Sequence, residues 1–251
     1  MNKSEHEELL KIEEEIRAKN YDNNTFGVSD GVISFDDYTN KKTNYKILWI
    51  LREPYEFDKV DKNRNKTKDK KIGGWSLANA LNKRESWKQT VKSKGGMQTY
   101  RKLIQTTYAI LNIDGINGFK KNSYKANFDY LKKIACINIK KMPGKSKSND
   151  KVISKHFTLN EEILNQQIEL CSPDITIYGG TFKYFKKSLL KKEPSIIELL
   201  NHNDSRYTKG AYYVIDGKLH IHTYHPSCFM KDENYCNNIL NAVKEWENQK
   251  L

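Results

Sequence analysis

The chain has few cysteines and none in a pairing pattern. Cys136, Cys171, Cys228 and Cys236 are the four among 251 residues, and no two stand in a Cys-x-x-Cys spacing. They read as reduced thiols of a cytoplasmic protein, not as a disulfide frame or a zinc ribbon. No run approaches the ~18 consecutive apolar residues of a membrane span. The opening residues, Met1 to Glu8, lack the apolar core of a secretory signal, which again points to the cytoplasm. No internal repeat and no linker breaks the chain, so residues 1–251 read as one domain. Acidic side chains are in deficit, with 31 Asp and Glu against 44 Lys and Arg and a net charge of +13. A fold this cationic repels itself unless a polyanion is near, and nucleic acid is the first candidate. The alternative is an AT-biased genome that inflates Lys without function. What is present suffices for a core: 37% apolar residues, with 15 Tyr, 9 Phe and 4 Trp, exclude a fully disordered chain.

Hydrophobic patterning predicts alternating helices and strands. Ser4 to Glu7 reads as a capping box, and Leu9, Leu10, Ile12 and Ile16 predict an amphipathic helix over residues 5–19. Lys46 to Leu51 is a short apolar run closed by Pro54, the pattern of a buried strand. Residues 58–71 hold seven Lys or Arg and almost no apolar side chain, a basic insertion. Residues 76–83 look helical. Ile134 to Ile139 is a second buried strand. Thr158 to Glu161 reads as a capping box that opens a helix ended by Pro173. Asp174 to Tyr178 is a third strand, running into Gly179-Gly180 and a helix from about Thr181. Asp216-Gly217 between Tyr212–Ile215 and Lys218–Tyr224 is a type I′ hairpin signal. Glu233 to Gln249 closes the chain as a helix. This alternation predicts an α/β fold of three layers, with a central, mainly parallel four-stranded sheet flanked by helices. Ligands of such sheets sit at the carboxyl ends of the strands.

The strand exits carry a resemblance. Leu51-Arg52-Glu53-Pro54-Tyr55, Ile137-Asn138 with Lys140-Lys141-Met142-Pro143-Gly144, Pro173 to Gly180, and His225-Pro226-Ser227 follow one another in the order of the motifs of the uracil-DNA glycosylase superfamily. The chain resembles that superfamily over roughly residues 45–230. Two departures are visible. Leu51 stands where the first motif usually opens with Gly, and Arg52 stands where another branch carries its catalytic Glu. The cysteines do not match the iron–sulfur branch, so no cluster, metal or organic cofactor is expected.

The resemblance implies a DNA glycosylase acting as a monomer on a flipped-out base. Glu53 and His225 are then the catalytic pair. A carboxylate stabilises the positive charge that builds on the sugar or orients water, and a neutral His hydrogen-bonds the charge on the departing base. Asn138, Tyr55 and Arg52 are the base-binding set. An Asn amide can pair with the edge of either uracil or cytosine, so Asn138 does not choose between them. Lys140, Lys141, Lys145, Lys147 and Ser227 are candidates for backbone phosphates. Phe229 with Met230 forms the apolar wedge that replaces lost stacking. The basic insertion beside the catalytic turn points to a substrate other than plain uracil, and the chain resembles bacterial members of the superfamily that act in anti-phage defence by excising hypermodified bases such as glucosylated hydroxymethylcytosine. Tyr55 speaks for uracil repair, because it matches a Tyr that blocks 5-substituted pyrimidines. No Lys is clearly placed for a Schiff base, so the reaction is expected to end at an abasic site.

Other readings stay open. Glu53 can be a surface carboxylate paired with Arg52. Asn138 can cap a strand, His225 can be a packed ring, and Phe229 can be core. His220, His222 and His225 form H-x-H-x-x-H, a spacing some zinc hydrolases use. A non-catalytic DNA-binding module is a further class.

Overall fold

The structure, a computed structural model, describes residues 1–22, 24–54, 72–82, 94–112, 127–144, 148–191, 195–200 and 210–250. The basic insertion 58–71, Tyr55, Lys145 and Lys147 lie outside the described residues.

The organising element is a mixed seven-stranded sheet. Its strands are β3 (Gly31–Val32), β4 (Ile47–Leu51), β5 (Ile134–Asn138), β6 (Ile175–Gly179), β7 (Ser195–Leu200), β8 (Gly210–Ile215) and β9 (Lys218–Thr223), in the order β3-β5-β4-β6-β9-β8-β7. The preceding β1 (Asn20–Asp22) and β2 (Thr25–Phe26) form a separate two-stranded sheet. The four central strands β5, β4, β6 and β9 run parallel. Every residue of β4, β5 and β6 is buried, which explains their continuous apolar runs: both faces of a parallel centre are covered.

Alternation along β4 splits its side chains between two cores. Ile47, Trp49 and Leu51 point to the face covered by α3 (Leu77–Asn82), α4 (Lys94–Leu111) and α7 (Asp232–Asn248), meeting Leu81, Leu103, Ile239 and Trp246. Leu48 and Ile50 point to the other face, against Leu9 of α1 (Lys3–Ala18), Leu164 of α5 (Asp150–Cys171) and Phe185 of α6 (Phe182–Leu190). A short α2 (Phe35–Tyr38) and a 3₁₀ turn at Phe128–Lys133 complete the description. No helix among the described residues is long and apolar enough to cross a membrane.

The sheet is wider than the four strands expected. β3 has two residues, too few for a periodic signal, and it joins antiparallel to β5. On the far side β9 turns back into β8 through Asp216 (φ 52°) and Gly217 (φ 73°), the paired positive φ values of a type I′ turn, and β7 adds antiparallel to β8. Two capping assignments are corrected. Helix α1 starts two residues earlier, because Asn2 accepts from the Glu5 N–H and Glu5 reaches back to the Asn2 N–H; Ser4 lies inside the helix. Helix α5 is capped by Asn149, and Thr158 sits in its interior, where its hydroxyl bonds back to the Ser154 carbonyl.

Ile50→Ala opens a cavity at a fully buried position of β4. It is expected to lower the unfolding free energy in urea by about 2–5 kcal/mol with the denaturant slope unchanged.

Candidate functional site at the carboxyl ends of the parallel strands

Because β5, β4, β6 and β9 are parallel, their exits open on one edge of the sheet. Backbone bonds hold these exits in register. The β4 exit accepts from the β5 exit twice, Ile139 N–H to Leu51 carbonyl at 3.0 Å and Lys140 N–H to Arg52 carbonyl at 2.9 Å. Thr181 Oγ1 donates to the Ile50 carbonyl at 2.8 Å, and Gly180 N–H donates to the Thr223 carbonyl at 2.8 Å. Gly180 has φ +70°, and a Cβ there would sit 3.3 Å from the His225 nitrogen and 3.6 Å from Arg52 Nε. The β6 exit is thereby pressed between Arg52 and His225.

Glu53 is nearly enclosed, with 8% of its side chain exposed. Its Oε2 accepts from Lys140 Nζ at 2.9 Å, and its Oε1 accepts from the Ser148 hydroxyl. Lys140 Nζ also donates to the Pro143 carbonyl at 3.0 Å. The loop closes so tightly that a Cβ on Gly144 would lie 2.1 Å from the Glu53 carboxyl carbon. The carboxylate is thus clamped at both oxygens. It is not a surface group paired with Arg52, the alternative open from sequence. Arg52 instead binds Asp150 (Nη2–Oδ1 2.9 Å), which also holds Lys183 Nζ at 2.6 Å. The Lys183 hydrogen bond, with the Arg52 charge behind it, lowers the Asp150 pKa.

His225 and Ser227 form a local pair. The Ser227 N–H donates to His225 Nδ1 at 3.2 Å, and Ser227 Oγ lies 2.8 Å from the same nitrogen. A ring nitrogen that accepts a backbone N–H carries no proton, so the neutral ring is protonated at Nε2 and offers one donor there. Enclosure by protein atoms, with the Arg52 and Lys102 charges, lowers the His225 pKa to about 4. The ring is therefore neutral at physiological pH.

Behind these exits lies a polar network that the sequence did not reveal. Asp30, fully buried, accepts from the Asn138 backbone N–H (2.7 Å), the Asn138 amide (3.1 Å) and Lys141 Nζ (2.6 Å). Gln167 of α5 accepts from the same lysine at 2.6 Å and donates to the Asp30 carbonyl at 2.7 Å. Glu13 joins at the rim through Ser29 and Arg17. Burial, then the Asp30 charge, raises its pKa to about 8, so it keeps its proton at neutral pH beside Asp30.

The structure changes four sequence assignments. Lys141 has no exposed surface and cannot meet a phosphate. Asn138 is 1% exposed and one amide donor is spent on Asp30, which leaves its carbonyl oxygen and second N–H for any base. Lys140 is committed to Glu53 and not to solvent. Met230, at 4% exposure, packs in the core beside Tyr235 and Ile239 and is no wedge. Phe229 stands 84% exposed, immediately after the His-Pro-Ser turn and Cys228. His220 and His222 share a face as alternation requires, but His220 Nδ1 pairs with the Tyr178 hydroxyl and His222 stacks on Phe182. Among the described residues no group of three or more His, Cys, Asp or Glu side chains could hold a metal ion. Ser148, Asp150 and Lys183 escaped the sequence reading because they lie outside the strand-exit motifs; only Gly144 stood in a quoted one.

The chain matches no protein-family model and no curated protein.

Lys141→Met leaves Asp30 charged and unpaired in the interior. It is expected to destabilise the fold by about 3–5 kcal/mol, read by urea unfolding. A second expectation concerns His225. Its ring, followed by NMR, is expected to titrate near 4 and not near its ordinary 6.5. The sign follows from linkage: the unfolded chain takes up the proton first, so the stability contributed by the neutral ring is full above pH 6.5 and is lost as pH falls toward 4.

Proposed function

We propose that the protein is a DNA glycosylase that hydrolyses the N-glycosidic bond of a flipped-out modified pyrimidine and leaves an abasic site. One observation carries the reading. The clamped carboxylate Glu53 and the neutral donor His225 stand at the exits of the parallel strands β4 and β9, on either side of the β6 exit, where Gly180 lies against both Arg52 and His225. The reaction asks for that combination. Positive charge develops on the sugar, where a carboxylate that needs no reorganisation stabilises it or orients the attacking water. Negative charge develops on the base, where the Nε2–H of the neutral ring donates a hydrogen bond to it.

The other residues take supporting roles. Asn138 reads the base edge with its remaining amide groups once the atoms that cover it move aside, and Arg52 stands beside it at the neighbouring exit. Phe229, apolar and in solvent, fills the gap left in the stack, which costs a few kcal/mol to open. The net charge of +13 supplies the attraction to the phosphate backbone. The preferred substrate is a hypermodified cytosine such as glucosylated hydroxymethylcytosine in phage DNA. This rests on the basic insertion that directly follows the catalytic turn. Tyr55 favours the second reading, repair of uracil or another deaminated base.

The test is base release followed by mass spectrometry, using uracil-containing DNA, unmodified DNA and phage DNA with glucosylated hydroxymethylcytosine. Release of the sugar-bearing base alone is the expected result, and release of uracil alone supports repair. Glu53→Gln is expected to abolish release while DNA binding persists, and His225→Ala to slow release by about 100-fold or more. Full activity of Glu53→Gln would remove the carboxylate from the mechanism.

A further inference from the structure

The sequence placed no lysine for covalent chemistry, but the fold puts one against the candidate catalytic carboxylate. Lys140 Nζ is 2.9 Å from Glu53 Oε2, with 11% of the Lys140 side chain exposed. Two backbone bonds fix the pair's spacing, Lys140 N–H to the Arg52 carbonyl and Gly144 N–H to the Pro54 carbonyl at 2.8 Å. The ammonium is steadied from the other side by the Pro143 carbonyl at 3.0 Å. An atom in contact with Glu53 Oε2 is therefore within a few ångströms of a primary amine. Orienting a carboxylate requires only a donor, which Ser148 already supplies at the other oxygen. A lysine adds a nucleophile for carbonyl carbons, which an arginine or a hydroxyl donor in its place does not.

We infer that Lys140 makes the protein an abasic-site lyase as well, acting on the aldehyde that base removal generates. The inference rests on the glycosylase reading for its substrate class, DNA containing an abasic deoxyribose. Covering of the pair by DNA favours transfer of one ammonium proton to Glu53, since a neutral amine and carboxylic acid cost less to desolvate than two charges. The free amine adds to C1′ of the ring-opened sugar. Loss of the C1′ hydroxyl as water, protonated by Glu53, gives the protonated imine. Glu53, again a carboxylate, removes a C2′ proton. The C2′–H electrons form a new C2′–C3′ double bond, and the C3′–O3′ bond breaks with its electrons leaving on the phosphate oxygen. One strand now ends in a 5′-phosphate. One water then hydrolyses the protonated imine, returning Lys140 as its ammonium and releasing the other strand with an unsaturated aldehyde at its 3′ end, while Glu53 gives up the C2′ proton to the released phosphate. The water lost on imine formation is regained, and no oxidant or reductant is consumed.

The experiment uses the full chain and a labelled duplex with a preformed abasic site, so that base removal is not required. Sodium borohydride reduces any imine to a stable amine. The expected result is a covalent protein–DNA adduct that peptide mapping assigns to Lys140, together with strand nicking in the absence of borohydride. Lys140→Gln is expected to bring nicking and trapping down to the protein-free level, whereas Lys187→Gln, on the exposed face of α6, retains both. The mapping on the unaltered protein decides the matter even if Lys140→Gln fails to fold. Adducts spread over other lysines, or no adduct while base release proceeds, would overturn the inference and leave the glycosylase reading intact. Trapping at Lys140 with no base released from any of the three DNAs would uphold the lyase and overturn the glycosylase.

Discussion

Lys141 Nζ lies 2.6 Å from Asp30 Oδ1 with both side chains wholly removed from solvent, and the geometry of the strand exits hangs on that pair. Desolvating two charges costs several kcal/mol per ion after relaxation, so such a pair is tolerable only when the remaining hydrogen-bonding capacity is filled. Here it is. Asp30 also receives the Asn138 backbone and amide, and the lysine also reaches Gln167 of α5. Three separate parts of the chain are thereby pinned: the segment that enters β3, the exit of β5, and the C-terminal part of α5. The position of Lys140, and with it the clamp on Glu53, follows from where Lys141 is anchored.

The site above this network is built from opposite charges held at short range, enclosed at Glu53 and Lys140 and open to solvent at Asp150 and Lys183. Glu53 faces Lys140, and Arg52 faces Asp150, which Lys183 shares. In a chain with a net charge of +13, these carboxylates are spent on pairing within the site. Such pairing keeps the reacting groups in one arrangement before any ligand arrives, which is the condition for electrostatic catalysis without reorganisation. His225 is set differently. Its neutrality comes from enclosure and neighbouring positive charge, and its tautomer from the Ser227 N–H. The two halves of the site thus rely on different physics, ion pairing for the acid and desolvation for the ring.

Much of this was legible in the sequence where the signal is local. The apolar runs of β4, β5 and β6, the Asp216-Gly217 turn and the closing helix are short-range features, and their positions hold to within a residue or so. Helix starts were less secure, because a Ser or Thr followed by Glu three residues later also occurs inside helices, as at Thr158. The two-residue β3 offered no periodicity at all.

Lys140 and Lys141 show the division most clearly. Adjacent and chemically identical, they read alike as cations for a polyanion. At a strand end successive side chains leave on opposite sides, and one turns to Glu53 while the other turns to Asp30. Phe229 and Met230 part in the same way, one into solvent and one into the core. The sequence by itself determined which residues can carry charge, donate protons or pack, and where strands stop, because those properties belong to single side chains and local periodicity. Only the tertiary structure decided which charge meets which, because Asp30 and Lys141 lie far apart along the chain and are brought together by burial.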